Sequence, residues 1–237
     1  MGVAAVLVLL CCVVFARLHY SWSWEGIWEY RGVFVKGWLL TIAISLGALV
    51  VSILLGALLA AGSLARNPLL RWISRGYVEL VRGTPLLVQL LIGYYVVANA
   101  LELQGQFLIG VLLLSSFAGA YLSEILRGGI QSVAASQLEA ARAVGFTTAQ
   151  TYRYVILPQA IRRVLPAMAG QFVSLIKDSS LLSVIGLEEF TQAARIANAA
   201  NYTSLEGFLP LAIGYLILTM PLSWWSARLE RRMRYED

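Results

Sequence analysis

From Gly37 to Ser63 the chain runs without a single charged side chain. A helix that crosses the hydrocarbon core of a bilayer needs roughly 20 apolar residues and must satisfy its own backbone hydrogen bonds. This run meets that length. Further apolar stretches recur at about 2–17, 84–101, 106–127, 166–187 and 207–227. Charged residues make up 13% of the chain and hydrophobic residues 59%. A soluble domain carries about twice that charged fraction. The expected fold is an all-α integral membrane bundle, with little length left for a soluble domain.

The net charge of +5 is not spread evenly. Arg66, Arg71, Arg75 and Arg82 follow the second stretch; Arg127, Arg142, Arg153, Arg162 and Arg163 follow the fourth; Arg228, Arg231, Arg232 and Arg234 follow the last. The loop near Glu102 has no basic residue, and 188–206 has Arg195 alone. Arginine-rich loops stay on the cytoplasmic side, which predicts a multi-pass membrane protein with a cytoplasmic C-terminus. Arginines in three membrane-flanking loops do not make a nucleic-acid surface. The N-terminal stretch lacks the basic flank and small-residue cleavage site of a secretory signal, so it is read as a retained extra span. Residues 1–33 then comprise this apolar segment and an external aromatic stretch, in which Trp22, Trp24, Trp28, Tyr30 and Trp38, with His19, suit an interfacial belt. Arg31 and Lys36 stand there against the charge rule. Cys11 and Cys12 are adjacent apolar fillers with no metal or disulfide spacing.

Several local signals set boundaries. Asn67-Pro68 reads as an N-cap and first helical residue. It opens a basic amphipathic helix with Leu69, Trp72, Ile73 and Leu80 on one side and Arg71, Arg75 and Arg82 on another. Thr84 as N-cap and Pro85 at the first helical position restart the chain, as a second helix or a kink. Gly128-Gly129 predicts a left-handed stop after Arg127, and the fifth span is expected to open near Pro166. Residues 188–202 have the composition of a short external helix, and Thr203 and Glu206 stand at capping-box spacing.

Between the fourth and fifth spans lies a polar insert, Ser136 to Pro158, SQLEAARAVGFTTAQTYRYVILP. Ser136 and Glu139 have capping-box spacing, as do Thr147 and Gln150. Gly145 stops the first helix. Ala149, Tyr152, Val155 and Ile156 form a stripe on the second, and Pro158 is expected to end it. The result is a rigid helix–turn–helix whose small Ala140, Ala141 and Ala143 let another surface approach closely. A membrane protein that interrupts its spans with such an element presents it to a soluble partner.

Glu139-Ala140-Ala141, Gly145 and the terminal Val155-Ile156-Leu157-Pro158 resemble the EAA loop of ABC importer permeases. Glu79–Leu91 (ELVRGTPLLVQLL), Ala120–Val133 (AYLSEILRGGIQSV) and Ser174–Phe190 (SLIKDSSLLSVIGLEEF) resemble the subfamily that imports histidine, glutamine, glutamate, arginine or opines. The resemblance covers about 34–235 and implies a type I importer transmembrane domain of five core spans, with the N-terminal segment as an extra one. It implies an ATPase-coupling role for Glu139, Ala140, Ala141, Arg142, Gly145 and Thr147. It also implies a place in the bacterial cytoplasmic (inner) membrane, a separate ABC ATPase subunit, a second permease (identical or paralogous), an extracytoplasmic amino-acid-binding protein and a polar amino acid substrate. The chain has no GxxxxGK[ST] sequence, so ATP and Mg would sit on the partner ATPase.

Lys177 and Asp178 follow Pro166 by about three helical turns, roughly mid-bilayer. A charge there costs about 2.5–3.5 kcal/mol and faces a cavity or a partner. Gln171, Ser174 and Asp178 share a face at i, i+3, i+7, and Ser179 and Ser180 add hydroxyls. These residues, with Gln89, either line a substrate pathway or lock helices together. Glu124 and Arg127 make an i, i+3 pair at the inner end of the fourth span, as a salt bridge, an ATPase contact or a gate. An ATP-independent channel or secondary transporter built on Lys177 and Asp178 is the alternative function. The chain has one histidine and no HExxH, GxSxG or paired intramembrane carboxylates, so no catalytic or metal site is expected.

Overall fold

The computed structural model describes residues 22–203 and 205–234, with positions 6, 9, 13 and 17. Cys11, Cys12, His19 and most of the predicted first span lie outside the described residues. From Trp24 on, the described residues form ten α-helices in order: α1 Trp24–Glu29, α2 Arg31–Ser63, α3 Pro68–Arg82, α4 Leu86–Ile92, α5 Gln106–Gln131, α6 Ala135–Ala143, α7 Thr148–Thr151, α8 Leu157–Asp178, α9 Phe190–Asn201 and α10 Leu205–Arg234. π-Helical turns extend α4 over Gly93–Ala98 and join α7 to α8 over Tyr152–Ile156, and a 3-10 segment, Ser179–Ile185, continues α8. No strand occurs among the described residues.

α2 is apolar around its whole circumference, so hydrophobicity alone does not choose its inward face. Small residues do. Gly37, Thr41, Ser45, Ala48, Ser52, Gly56, Ala60 and Ser63 are buried along one stripe, and α2 makes its most extensive contact with α5. In lipid, helices gain little from hiding apolar surface from one another, and close backbone approach across small residues supplies the attraction. A Cβ on Gly56 would lie 2.9 Å from the Leu122 Cβ and 3.1 Å from the Gly119 carbonyl. Above this seam, Ile44, Leu90, Leu114, Leu175, Leu182 and Leu187 form a fully buried core from α2, α4, α5, α8 and the segment after it.

α3 begins as its sequence predicts: the Asn67 side chain accepts from the Leu69 N–H at 2.9 Å and Pro68 is in the first turn. Its burial differs. Ser74, Val78 and Val81 face the bundle, while Leu69, Trp72, Ile73 and Leu80 remain exposed. The chain then bends by 107° into α4, so these are two helices. Thr84 does not cap α4. Pro85 occupies the cap position, and the Thr84 hydroxyl donates back to the Leu80 carbonyl at 3.0 Å.

Four other boundaries correct the sequence reading. α5 runs through Gly128 and Gly129 to Gln131. Gly129 is needed for packing rather than for a stop, since a Cβ there would collide with Val164 of α8. α6 starts at Ala135 from Ala134 without a side-chain cap, which puts Ser136 two residues past the cap position that the predicted box with Glu139 requires. Pro158 does not end the second insert helix: it lies in the first turn of α8, where its missing N–H is tolerated, directly after the π turn. Pro166 lies inside α8 rather than at its start. α10 is described from Leu205 on, and the start of the predicted Thr203–Glu206 box adjoins position 204, which lies outside the described residues.

Among the described residues α2, α5 and α10 are each long and apolar enough to cross a membrane, and the bent α3–α4 pair makes a fourth. α8 falls outside that set because it carries Arg162, Arg163, Lys177 and Asp178. Its place depends on packing: Ala160, Val164, Ala169, Val173 and Ile176 are buried, against α5 and α10.

Candidate functional site

The polar insert folds as two short helices folded back on one another. Gly145 adopts φ +80, the left-handed conformation that L-residues with a Cβ disfavour. It lets its own N–H reach the Arg142 carbonyl and the Phe146 N–H reach the Ala141 carbonyl, each at 3.0 Å, the paired bonds of a Schellman stop. The predicted Thr147–Gln150 box forms: the Thr147 N–H donates to Gln150 Oε1 at 2.8 Å and the Gln150 N–H to Thr147 Oγ1 at 3.3 Å. Ala141 is buried, whereas Glu139, Ala140, Arg142, Gly145 and Thr147 are exposed. The Glu139 carboxylate takes no part in a cap. Around it the insert displays apolar surface unusual for a polar element: Val144 is 71% and Tyr154 61% exposed, and Phe146 and Tyr154 rings lie 6.2 Å apart.

The insert is fastened to the bundle. Gln159 of α8 donates to the Gln137 side chain and to the Val155 carbonyl, and Arg163 donates to the Ser132 carbonyl. From Thr148 the backbone stays helical through the π turn to Asp178. At 1.5 Å per residue this is a rod of about 45 Å, with the insert at one end and the charged candidates at the other.

At that far end Gln171, Ser174 and Asp178 are half-buried and Lys177 is exposed. Lys177 and Asp178 form no salt bridge among the described residues. The Ser179 and Ser180 hydroxyls donate to the Ile176 and Lys177 carbonyls at 2.8 and 2.7 Å, and Ser183 repeats the pattern on Ser180, which accompanies the tightening into a 3-10 segment. Gln89 is committed differently. Its Nε2 donates to the Val81 carbonyl at 2.6 Å and contacts the Thr84 carbonyl and hydroxyl at 3.1 and 2.8 Å, clamping the α3–α4 bend.

Glu124 and Arg127 form a bidentate pair at 2.7 and 2.8 Å. Arg82 joins Glu124 at 3.4 Å and stacks on Tyr121 at 5.3 Å, so the cluster ties the end of α3 to α5. Periodicity gave no sign of Glu189, which is fully buried. It caps α9, accepting from the Thr191 and Gln192 N–H groups at 2.9 Å each, and accepts from Tyr215 Oη at 3.1 Å and Thr41 Oγ1 at 3.5 Å. Burial pushes its carboxyl pKa up, while those N–H bonds and the tyrosine hydroxyl pull the other way. A leucine-flanked pair of glutamates preceding a helical stretch was the available signal, and it marks the cap position but not the long-range partners. Among the described residues no group of His, Cys, Asp and Glu is arranged to hold a metal ion.

Residues 52–235 match the family described as binding-protein-dependent transport system inner membrane component. That match spans more than half of the chain. The chain belongs to this family of transport permeases. The permease is 36% identical over 221 residues to the glutamine transport system permease protein GlnP of Escherichia coli strain K12, covering 90% of this chain and 99% of that one. It is 32% identical over 204 residues to the arginine transport system permease protein ArtQ of Bacillus subtilis strain 168, covering 86% and 93%. Among solved structures it resembles an amino acid ABC transporter crystallised with histidines, with a TM-score of 0.83 and 34% identity over 90% of this chain and all of that one. The MetNI methionine ABC transporter in an inward-facing conformation shares the fold, with a TM-score of 0.71 at 18% identity over 86% of this chain and 98% of that one. The permease therefore has the type I ABC importer transmembrane fold.

Proposed function

We propose that this permease is the membrane-spanning subunit of an ATP-driven importer for a polar amino acid. A separate ABC ATPase docks on the insert at 136–158, on the cytoplasmic side with the C-terminus. Glu139, Ala140, Arg142, Gly145 and Thr147 form the docking surface, the buried Ala141 packs beneath it, and ATP with Mg stays on that partner. An extracytoplasmic binding protein delivers the substrate, and a second permease completes the pathway. The substrate class is supported by the relatives named for glutamine and arginine and by the amino acid transporter among the solved structures.

One observation carries the mechanism: the unbroken helical path from Thr148 to Asp178. Closure of an ATPase pair moves the insert as a body, because Gly145, the Thr147 cap and the Gln137–Gln159 bond fix its shape. A continuous helix delivers that motion to Asp178, where it alternates access to the pathway. Lys177, Asp178, Ser174, Gln171 and Ser180 supply the polar lining, while Ser179 is fully buried and holds the Ile176 carbonyl. The lack of a salt bridge between Lys177 and Asp178 supports lining over a locked ion pair, because an intramembrane charge then faces water or substrate. Glu124 and Arg127 brace the inner end.

The test is Asp178→Asn in proteoliposomes containing the ATPase and binding protein. Uptake should fall at least ten-fold while the purified assembly and its thermal stability are retained. Normal uptake, or loss of assembly with normal substrate affinity, refutes the lining role. Uptake that continues without ATP would instead support a channel or secondary transporter.

A further inference from the structure

The inner-end helix α3 has a polar seat that the transport reading leaves unused. Pro68, Arg71, Trp72, Arg75, Gly76 and Glu79 line a cavity of about 300 Å³ on its outward side. Arg71 and Arg75 are held in place from below. Arg71 Nε donates to the Ala65 carbonyl at 3.2 Å and its Nη2 to the Arg66 carbonyl at 3.4 Å, and Arg75 Nη2 donates to the Ser63 carbonyl at 3.4 Å. Cations so placed complement the C-terminal end of α2. Each guanidinium has five N–H donors, so donors remain on both for an outside acceptor. Neither arginine enters a salt bridge among the described residues.

Further along the same face of α3, one turn beyond Arg75, lies Glu79, also without a salt bridge among the described residues. Gly76 stands between them, and a Cβ there would meet nothing within 4 Å, so the floor is open. The seat is therefore bipolar: two fixed cations, a gap, then one carboxylate. Beside it Leu69, Trp72, Ile73 and Leu80 are 61%, 75%, 52% and 66% exposed. A tryptophan among aliphatic side chains next to arginines is the composition of the headgroup boundary of a bilayer. The seat lies in the arginine-rich loop region, at the membrane surface.

We propose that this cavity binds a phospholipid with an ethanolamine headgroup. Arg71 and Arg75 hold the phosphate through forked, charge-assisted hydrogen bonds. Glu79 accepts from the primary ammonium, and the acyl chains lie along Leu69, Ile73 and Leu80. A purely anionic headgroup would leave Glu79 repelled. A choline headgroup would present a quaternary ammonium with no N–H to donate. The occupant is a lipid rather than a soluble phosphate because the exposed apolar stripe is continuous with the seat.

The experiment reconstitutes the purified permease in nanodiscs of equal phosphatidylethanolamine and phosphatidylcholine, then extracts it in mild detergent and weighs the retained lipids by mass spectrometry. Wild type should retain the ethanolamine lipid about ten-fold over the choline lipid, the scale of a charge-assisted hydrogen bond. Arg71→Gln with Arg75→Gln should lower retention of both lipids about ten-fold. Glu79→Gln leaves the arginines pinned and should abolish the headgroup preference while keeping total phospholipid. Equal retention of the two lipids by wild type, or an unchanged preference in Glu79→Gln, overturns the proposal. So does displacement by soluble glycerophosphoethanolamine at concentrations matching the lipid, which would remove the acyl contribution. Efficient disulfide cross-linking between copies carrying Trp72→Cys, in a chain with Cys11 and Cys12 replaced by alanine, would assign the face to a second permease and overturn it as well.

Discussion

Valine at position 145 probes the link between turn geometry and transport. Gly145 sits at φ +80 with open space where a Cβ would project, so the penalty of substitution is conformational rather than steric. Holding a β-branched residue in the left-handed region costs about 1–3 kcal/mol. Reduced freedom in the unfolded chain returns about 0.4–1 kcal/mol. A net loss of about 1.3 kcal/mol changes a local equilibrium roughly ten-fold. The insert joins the bundle through few bonds, chiefly Gln159–Gln137 and Arg163–Ser132, so the loss falls on this small unit rather than on the apolar core. Both 3.0 Å bonds of the stop, from Gly145 and Phe146, are released together, and Phe146 and Val144 leave the exposed surface they now form. ATP-driven uptake in proteoliposomes and co-purification of the ATPase should each drop about ten-fold or more. Membrane insertion and the melting temperature of the bundle should change little. Asparagine, which tolerates the left-handed region, should retain most of the activity. Wild-type uptake in Gly145→Val would refute the reasoning, and so would Gly145→Asn failing as badly as valine.

Two further outcomes test the packing. Glu189→Ala removes the acceptor for the half-buried Thr191 and Gln192 N–H groups and for Tyr215; each stranded donor costs up to about 1–3 kcal/mol, so the melting temperature should fall, and an unchanged melt would show that Glu189 bears no such weight. Gly56→Leu drives a side chain into Leu122 and the Gly119 carbonyl, costing about 1–3 kcal/mol or more by overpacking; thermal unfolding should show it, whereas the same change at Gly76, where a Cβ meets nothing, should not.

Local signals were legible wherever a single residue type satisfies a single backbone need. Asn67 with Pro68, Thr147 with Gln150, and Gly145 fixed a start, a cap and a stop, because cap and turn bonds close within a few residues. The same logic misread Gly128-Gly129 and Pro158. A glycine also serves close helix contact, as Gly129 does against Val164, and a proline in a first turn need not break a helix. Of the pathway candidates, Gln89 shared the apolar context of a lining residue, but its amide reaches back to the Val81 and Thr84 carbonyls, a contact that depends on the 107° bend.

By itself the sequence determined that the chain is a helical membrane protein with a polar two-helix insert, because length of apolar run, charge and capping act locally. Only the tertiary structure decided which face of α2 turns inward, that Glu189 gathers donors from three helices, and that the insert and Asp178 share one continuous rod. Those outcomes depend on how closely small residues let backbones approach and on hydrogen bonds between residues far apart in sequence, neither of which periodicity records.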